Sequence, residues 1–534
     1  MRRDLARPPR SRRPQPADAL VNNGAPRRSG VPLTPRDIGI LVLPLLAIVP
    51  FLPSFSSFAV LMLAAVCAAI PFLTAFMMRG ATLAPILVGL VVYVSVTLKT
   101  GLLFALGSDD PNVSRLLRGL PLGKLTPALV YLLVALTLLC FGMVVGYAYA
   151  PEARQLRDAP LDARRTEKWI RRLLVFAGLA YVFFALRTGV RFTSLSSLSA
   201  KRFENLQGGS ASRVRSLPYL IVRLAGTARA TVPLALVLVL LSAEPAVRKR
   251  SRRLLAAAVF LSILLAFTIN SRAGVVLILL DIMVLLYLFG HTPSRRTILG
   301  VGVVGLVFML AILGVRQASQ STSRIDQLER TMLGRDLLDI TKLATITSHT
   351  EMFGSLGGQT LWGWMAAPVP DALLPVTRPL WAGQGKYVWT NVYGGQGKNG
   401  VPASLPGELL LNAGRLGFVL GMFCFGLLLG LLSRRWRRRS TSVASTVVFA
   451  IVITRVTIFG LANDFGTGVV KAVLEVIPLL IVLRLCRVSP VRLRRNRWTI
   501  APPGPAARRP RRQNPRHVAD TTQRAPAPVP AVSG

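Results

Sequence analysis

Acidic residues are scarce in this chain: 22 Asp and Glu stand against 65 Lys and Arg, with 3 His, giving a formal net charge of +43 at pH 7. Charged residues of both signs make up only 16% of the 534. That is well below the roughly 25% of an ordinary soluble domain and excludes a conventional water-soluble enzyme. Cysteine is rare too. Cys67, Cys140, Cys424 and Cys486 lie in or at the ends of apolar runs without short spacings, so neither a disulfide framework nor a zinc site follows. The sequence has no GxxxxGK, no HExxH and no repeat of fixed period, which argues against an ATP-driven pump and a metalloprotease.

Apolar sequence is what the chain has in quantity, with 52% hydrophobic residues and a mean hydropathy of +0.51. Apolar runs occupy residues 37–53, 57–77, 82–106, 125–149, 172–187, 218–242, 254–270, 273–290, 298–316, 405–432, 443–459 and 469–486. Each is close to the roughly 17–25 residues of a spanning helix, so the expected fold is all-α, a polytopic integral membrane protein with about twelve transmembrane helices. The membrane domain is residues 37–486, between a basic leader (1–36) and a basic, Pro-rich tail (487–534) that cannot bury a core and are expected to be disordered.

The positive charge follows the topology. Arg154, Arg157, Arg164, Arg165 and Lys168, then RKRSRR (248–253), Arg295 and Arg296, and RRWRRR (434–439) all fall in connections on one side, as the positive-inside rule requires of cytoplasmic loops. Both tails join that side, where their basic runs face lipid headgroups rather than nucleic acid. The expected location is the plasma membrane, with both termini cytoplasmic and the first span an uncleaved anchor.

Three outer loops are then longer than a turn: 107–124, 188–217 and 317–404, the last lying between spans 9 and 10. A loop of that length is usually functional, so the outer face is expected to be the working face. The 188–217 loop carries Arg191, Lys201 and Arg202 against the positive-inside trend, and Arg223 and Arg229 follow within the next span. Arg272 sits in the hairpin NSRAG, and Lys99 and Arg455 lie near the outer ends of their spans. An arginine inside a membrane is costly unless it meets an anion, a carboxylate or water, so cations gathered at one depth suit a phosphate ligand in an apolar setting, such as a polyprenyl pyrophosphate. Asp281, Asp464 and Glu475 are expected as intramembrane partners for some of these arginines.

Carboxylates and imidazoles that could handle a sugar proton are fewer. In SLPGELLLNAGRLGF, the spacing of Glu408, Asn412 and Arg415 predicts that all three share one helical face at the mouth of a span. Two roles fit Glu408, a base toward a sugar hydroxyl or a counter-ion that orients an arginine. His349 and Glu351, in TSHTEMF, are the other outer candidates, and Asp109 and Asp110 form an acidic pair in the 107–124 loop.

These stretches carry a resemblance. GGQTLWGWMAAPVPDALLPVTRPLW followed by GVPASLPGELLLNAGRLGFVLG resembles the oligosaccharide repeat unit polymerases, the Wzy-type O-antigen polymerases. In that family a glycine-threonine stretch leads to a proline-rich region in the long outer loop, and a Gly-Glu-Leu pattern with Asn and Gly opens the next span. Gly358, Thr360, Pro368, Pro375 and Pro379, then Gly407, Glu408, Asn412, Gly414 and Gly417, fill much of the pattern. SLSAKRFE (197–204) and NSRAG (270–274) are similar to the family's basic loop motif and arginine-bearing hairpin. Ala413 departs from it where an aromatic residue is common, as does Asp371 in the proline region.

The resemblance implies a membrane glycosyltransferase that joins undecaprenyl-pyrophosphate-linked oligosaccharide repeat units into a cell-surface polysaccharide at the outer face. A chain-length regulator and a flippase of the same pathway would be its partners. The donor brings its own leaving group, so no cofactor or metal is expected. Glu408 is the expected base with His349 second, and Arg191, Lys201, Arg202, Arg223, Arg229, Arg272, Asn412, Arg415 and Arg455 are the expected substrate contacts. An O-antigen ligase, an arabinosyl- or mannosyltransferase using Asp109 and Asp110, and a lipid or polysaccharide transporter are the alternatives.

Overall fold

Uninterrupted apolar sequence leaves a backbone in hydrocarbon with only its own hydrogen bonds to make, and the chain is helical accordingly. A computed structural model describes residues 57–78, 83–106, 125–149, 161–188, 229–242, 245–268, 272–291, 300, 340–360, 384–394, 401–439, 443–462, 465–486 and 499–500. The helices are α1 (Ser57–Met77), α2 (Leu83–Val92 through a π turn at Tyr93–Thr97 to Leu98–Leu106), α3 (Leu125–Tyr149) and α4 (Ala163–Thr188). Next come α5 (Thr231–Leu241), α6 (Pro245–Thr268), α7 (Arg272–Leu288), α8 (Ile340–Phe353) and α9 (Gln384–Tyr387 with a π turn at Val388–Val392). Last are α10 (Ser404–Arg439), α11 (Val443–Thr454, a π turn at Arg455–Phe459, then Gly460–Ala462) and α12 (Phe465–Leu485).

Among the described residues, five helices are long and apolar enough to cross a membrane: Ala59–Met77, Leu83–Leu103, Leu125–Tyr149, Ser404–Trp436 and Val443–Ala462. Thr231–Leu241 and Gly274–Leu288 are shorter apolar helices. The expected span at 37–53, and that at 298–316 apart from residue 300, lie outside the described residues, as do Asp109, Asp110, Asp464 and the loops 107–124 and 189–217.

At the centre of the bundle α3 packs along α10. Their contact runs on facing small-xxx-small pairs, Gly142 with Gly146 and Gly426 with Gly430. A Cβ at any of the four would strike backbone of the opposite helix, at Phe423, Leu427, Leu139 and Met143 respectively. Close backbone approach through glycine is how apolar helices associate where no hydrophobic effect drives them together.

Contacts at one end of the bundle gather the basic segments. Arg434 donates to the carbonyls of Tyr147 and Ala148, closing the open C-terminus of α3. Asp162 caps α4 by accepting from the backbone of Arg164 and Arg165, and its own N–H donates to Cys486 O at 2.9 Å. Within the tail expected to be disordered, Thr499–Ile500 pairs antiparallel with Leu161–Asp162. Among the described residues, Arg434 thus meets the end of α3, and Leu161–Asp162 meets Cys486 and Thr499–Ile500.

Candidate functional site

The other end of α3 meets a break in α10. The first segment of α10 carries Glu408 and Asn412 one turn apart, each 1% exposed. At Gly414 the backbone turns to φ 62 and ψ −160, a region open essentially to glycine alone. The helix stops there and restarts. This corrects the expectation of a single face: Glu408 and Asn412 point inward, but the break swings Arg415 outward, where its side chain is 73% exposed.

A break strands carbonyls that would have bonded four residues on. Here the segment after α8 supplies the donors: Leu356 N–H to Leu411 O at 2.7 Å and Gly358 N–H to Asn412 O at 3.1 Å. Positive φ at Gly354, Gly357 and Gly358 lets this segment coil tightly enough to do so. Asn412 completes the clasp. Its Oδ1 accepts from Thr360 N and Thr360 Oγ1, and its Nδ2 donates to Thr360 Oγ1 at 2.6 Å and to Glu408 O at 2.8 Å. Two motifs far apart in sequence, the glycine-threonine stretch and the Gly-Glu…Asn…Gly pattern, are thus one hydrogen-bonded unit.

A cleft of about 470 Å³ opens beside the break. α8 contributes Thr347, Thr350 and Glu351, the clasp adds Gly354 and Ser355, α10 adds Leu410, Gly414 and Arg415, and α3 adds Tyr131. Arg415 Nη2 meets Glu351 Oε1 at 3.3 Å, with Glu351 54% exposed. Such a pair is worth little in solvent, so a polar ligand can part it at low cost. An aromatic ring, hydroxyls, a carboxylate and a guanidinium around one hollow suit a polyhydroxylated ligand. From Tyr131 to Tyr147, 16 residues of α3 rise about 24 Å, so cleft and basic end are separated by most of a hydrocarbon thickness.

Glu408 and His349 lie behind this cleft rather than on its wall. A Cβ on Gly407 would press the Ile346 side chain, so the start of α10 sits hard against α8. His349 is buried between Phe353 and Tyr387, with ring centroids 4.7 and 6.1 Å away. Its Nδ1 has no hydrogen-bond partner among the described residues, and burial holds the imidazole below its ordinary pKa. Lys342, also buried on α8, donates to Pro402 O at 2.8 Å and ties α8 to the chain entering α10. Sequence reading passed over Lys342 and Tyr131; a single lysine in the apolar ITKLATIT was the available signal for the first, and none marked the second.

Arg455 is placed elsewhere, at the π turn of α11, and is 1% exposed. Its Nη1 and Nη2 fork onto Asp281 at 2.8 and 2.7 Å, and its Nε and Nη2 reach Glu475 Oε2 at 2.9 and 2.6 Å. The expectation that Asp281 and Glu475 serve as intramembrane partners is met. Arg229, just before α5, stands within electrostatic reach of the same three residues, so two guanidinium groups lie near two carboxylates drawn from α7 and α12. The side chain of Arg272, and all of Arg191, Lys201, Arg202 and Arg223, lie outside the described residues. No cluster of His, Cys, Asp or Glu able to hold a metal occurs among the described residues.

No curated protein and no solved structure matches the chain. A family model described as a putative O-antigen polymerase matches residues 214–461. That span holds α8, the clasp, the Gly414 break and Arg455. The match covers somewhat less than half of the chain and supports its resemblance to the O-antigen polymerases.

Proposed function

We propose that the protein polymerises undecaprenyl-pyrophosphate-linked oligosaccharide repeat units at the outer face of the membrane. The observation that carries this reading is the cleft at the Gly414 break. It falls within the family match except for Tyr131, and it offers Arg415 and Glu351 at the end of the bundle opposite the basic loops.

In the reaction, an acceptor sugar hydroxyl attacks the anomeric carbon of the donor glycan. A carbon–oxygen bond forms, the bond to the pyrophosphate oxygen breaks, and the pyrophosphate leaves with the electron pair while the hydroxyl proton passes to a base. Glu351 is the carboxylate with access to the cleft and takes the base role toward the acceptor. Glu408, enclosed one turn before Asn412, positions the break. Arg415 contacts the sugar or the departing phosphate, and the cations at 191, 201, 202, 223 and 272 supply the field that stabilises the leaving group.

The test is the lipid-linked glycan profile of cells lacking the protein, complemented with wild type, Glu351→Gln, Glu408→Gln, Arg415→Gln or Arg272→Ala. Accumulation of single repeat units with the empty strain and the Glu351 and Arg415 variants supports polymerisation at this cleft. Accumulation of long lipid-linked chains in the empty strain replaces it with the ligase reading.

A further inference from the structure

The basic end of the bundle holds a second concavity, of about 570 Å³, between the N-terminal turns of α4 and α6. Its lining is Arg164, Glu167, Lys168, Arg171, Val247 and Arg250, four cations and one carboxylate. That carboxylate is engaged: Glu167 Oε1 accepts from Arg171 Nη2 at 2.6 Å and is itself buried. Lys168 and Arg250 come from different helices and are both exposed to the hollow. With Arg171 answered by Glu167, Lys168 and Arg250 remain as like charges from two helices facing one concavity, and such a hollow attracts an anion.

A second feature indicates what kind of anion. One turn beyond Arg171, α4 turns an apolar face outward, with Val175, Phe176, Leu179, Val182 and Phe183 each between 45% and 66% exposed. The cationic hollow is therefore followed on the same helix by an exposed apolar stripe. Soluble phosphate would use only the hollow, whereas a lipid uses both. We infer that the concavity between α4 and α6 binds the phosphate headgroup of an anionic membrane lipid, whose chains lie along the outer face of α4. Basic pockets between spanning helices recognise headgroups by this combination of charge and position.

Full-length protein purified in neutral detergent would be titrated with dioctanoyl phosphatidylglycerol, dioctanoyl phosphatidylcholine or inorganic phosphate, with bound lipid read by native mass spectrometry. Wild type should retain phosphatidylglycerol in preference to phosphatidylcholine, and inorganic phosphate should not displace it. Lys168→Gln with Arg250→Gln should weaken phosphatidylglycerol binding about twenty-five-fold, from roughly fivefold per cation at a membrane surface. Lys168→Arg with Arg250→Lys should keep it, which separates lost charge from lost folding. Arg435→Gln with Arg438→Gln, in the basic run that ends α10, should change it little. Equal binding by the neutralised pair, equal uptake of phosphatidylcholine, or displacement by inorganic phosphate would each overturn the assignment.

Discussion

Asn412 and Thr360 exchange hydrogen bonds in both directions across 52 residues of sequence, Thr360 Oγ1 to Asn412 Oδ1 at 2.9 Å and Asn412 Nδ2 to Thr360 Oγ1 at 2.6 Å. Removing either side leaves a buried polar group without its partner, at a cost of about 1–3 kcal/mol. Asn412→Ala and Thr360→Val should each lower the midpoint of thermal unfolding in detergent, and the double variant should lose less than the sum. Additive losses would mean that the two residues act separately and that the clasp is not a unit.

Arg455 gives a larger effect. Replacing it with Leu leaves Asp281 and Glu475 as buried charges without their guanidinium, a change worth about 3–5 kcal/mol when one partner of a buried pair is lost. Arg455→Leu should therefore be poorly folded, while Arg455→Met combined with Asp281→Asn, which leaves Glu475 opposite Arg229, should recover much of the loss. Yield of monodisperse protein on size-exclusion chromatography distinguishes the outcomes. If this paired variant folds but makes no polymer, the cluster also serves the reaction, the outcome expected of Arg455 as a substrate contact.

How much of this was legible in sequence follows the physics of each feature. The spans at 57–77 and 125–149 match their apolar runs because length and hydropathy alone decide a helix in hydrocarbon. The partnership of Arg455 with two acids was legible because an intramembrane charge has few affordable environments. The break at Gly414 was not, since glycine recurs along α10 at 407, 417, 421, 426 and 430 and serves helix packing at the last two. What singles out Gly414 is the backbone donors of 356 and 358, a long-range pairing that local periodicity does not carry. For that reason Arg415 was placed on the wrong face, and Glu351, read only as an outer candidate, turned out to be its neighbour.

His349 provides a pH signature. Its imidazole sits among Phe353 and Tyr387, and burial lowers its pKa from the ordinary value near 6.5. Between the lowered folded value and the ordinary one, the unfolded chain binds more protons than the folded chain, so stability falls as pH falls through that window. His349→Gln should flatten the slope of thermal midpoint against pH below about 6.5 relative to wild type. An unchanged slope would mean that His349 is not protonated on unfolding in that range.

The glycine contact between α3 and α10 is tested by Gly426→Leu, whose side chain would have to enter the Leu139 backbone. Because the contact is backbone to backbone, no side-chain rearrangement relieves it, and the helices must separate along their length. The variant should insert into the membrane yet show limited proteolysis at new sites in α3 or α10, whereas Gly421→Ala, which meets only the Leu409 side chain, should show the wild-type pattern. Identical patterns for both would place the association of these helices elsewhere than in the glycines.

Gly414 decides whether the cleft depends on backbone geometry or on space. A Cβ there would lie 3.8 Å from Ser355 Cβ, an ordinary contact, so Gly414→Ala meets no steric wall. The obstacle is conformational: φ 62 with ψ −160 costs a side-chain-bearing residue about 1–3 kcal/mol. The chain can instead rewind α10 into a continuous helix. Leu411 O and Asn412 O would then bond Arg415 N and Leu416 N, releasing Leu356 and Gly358 and turning Arg415 away from Glu351. Polymerisation should be lost while the spans still insert. Asn at 414 sharpens the test, because asparagine tolerates positive φ chiefly with ψ near +47°, far from −160. Asn should therefore fail as Ala does, and recovery of polymer by Asn but not Ala would mean that 414 works as an ordinary left-handed helix end and that the open break is dispensable.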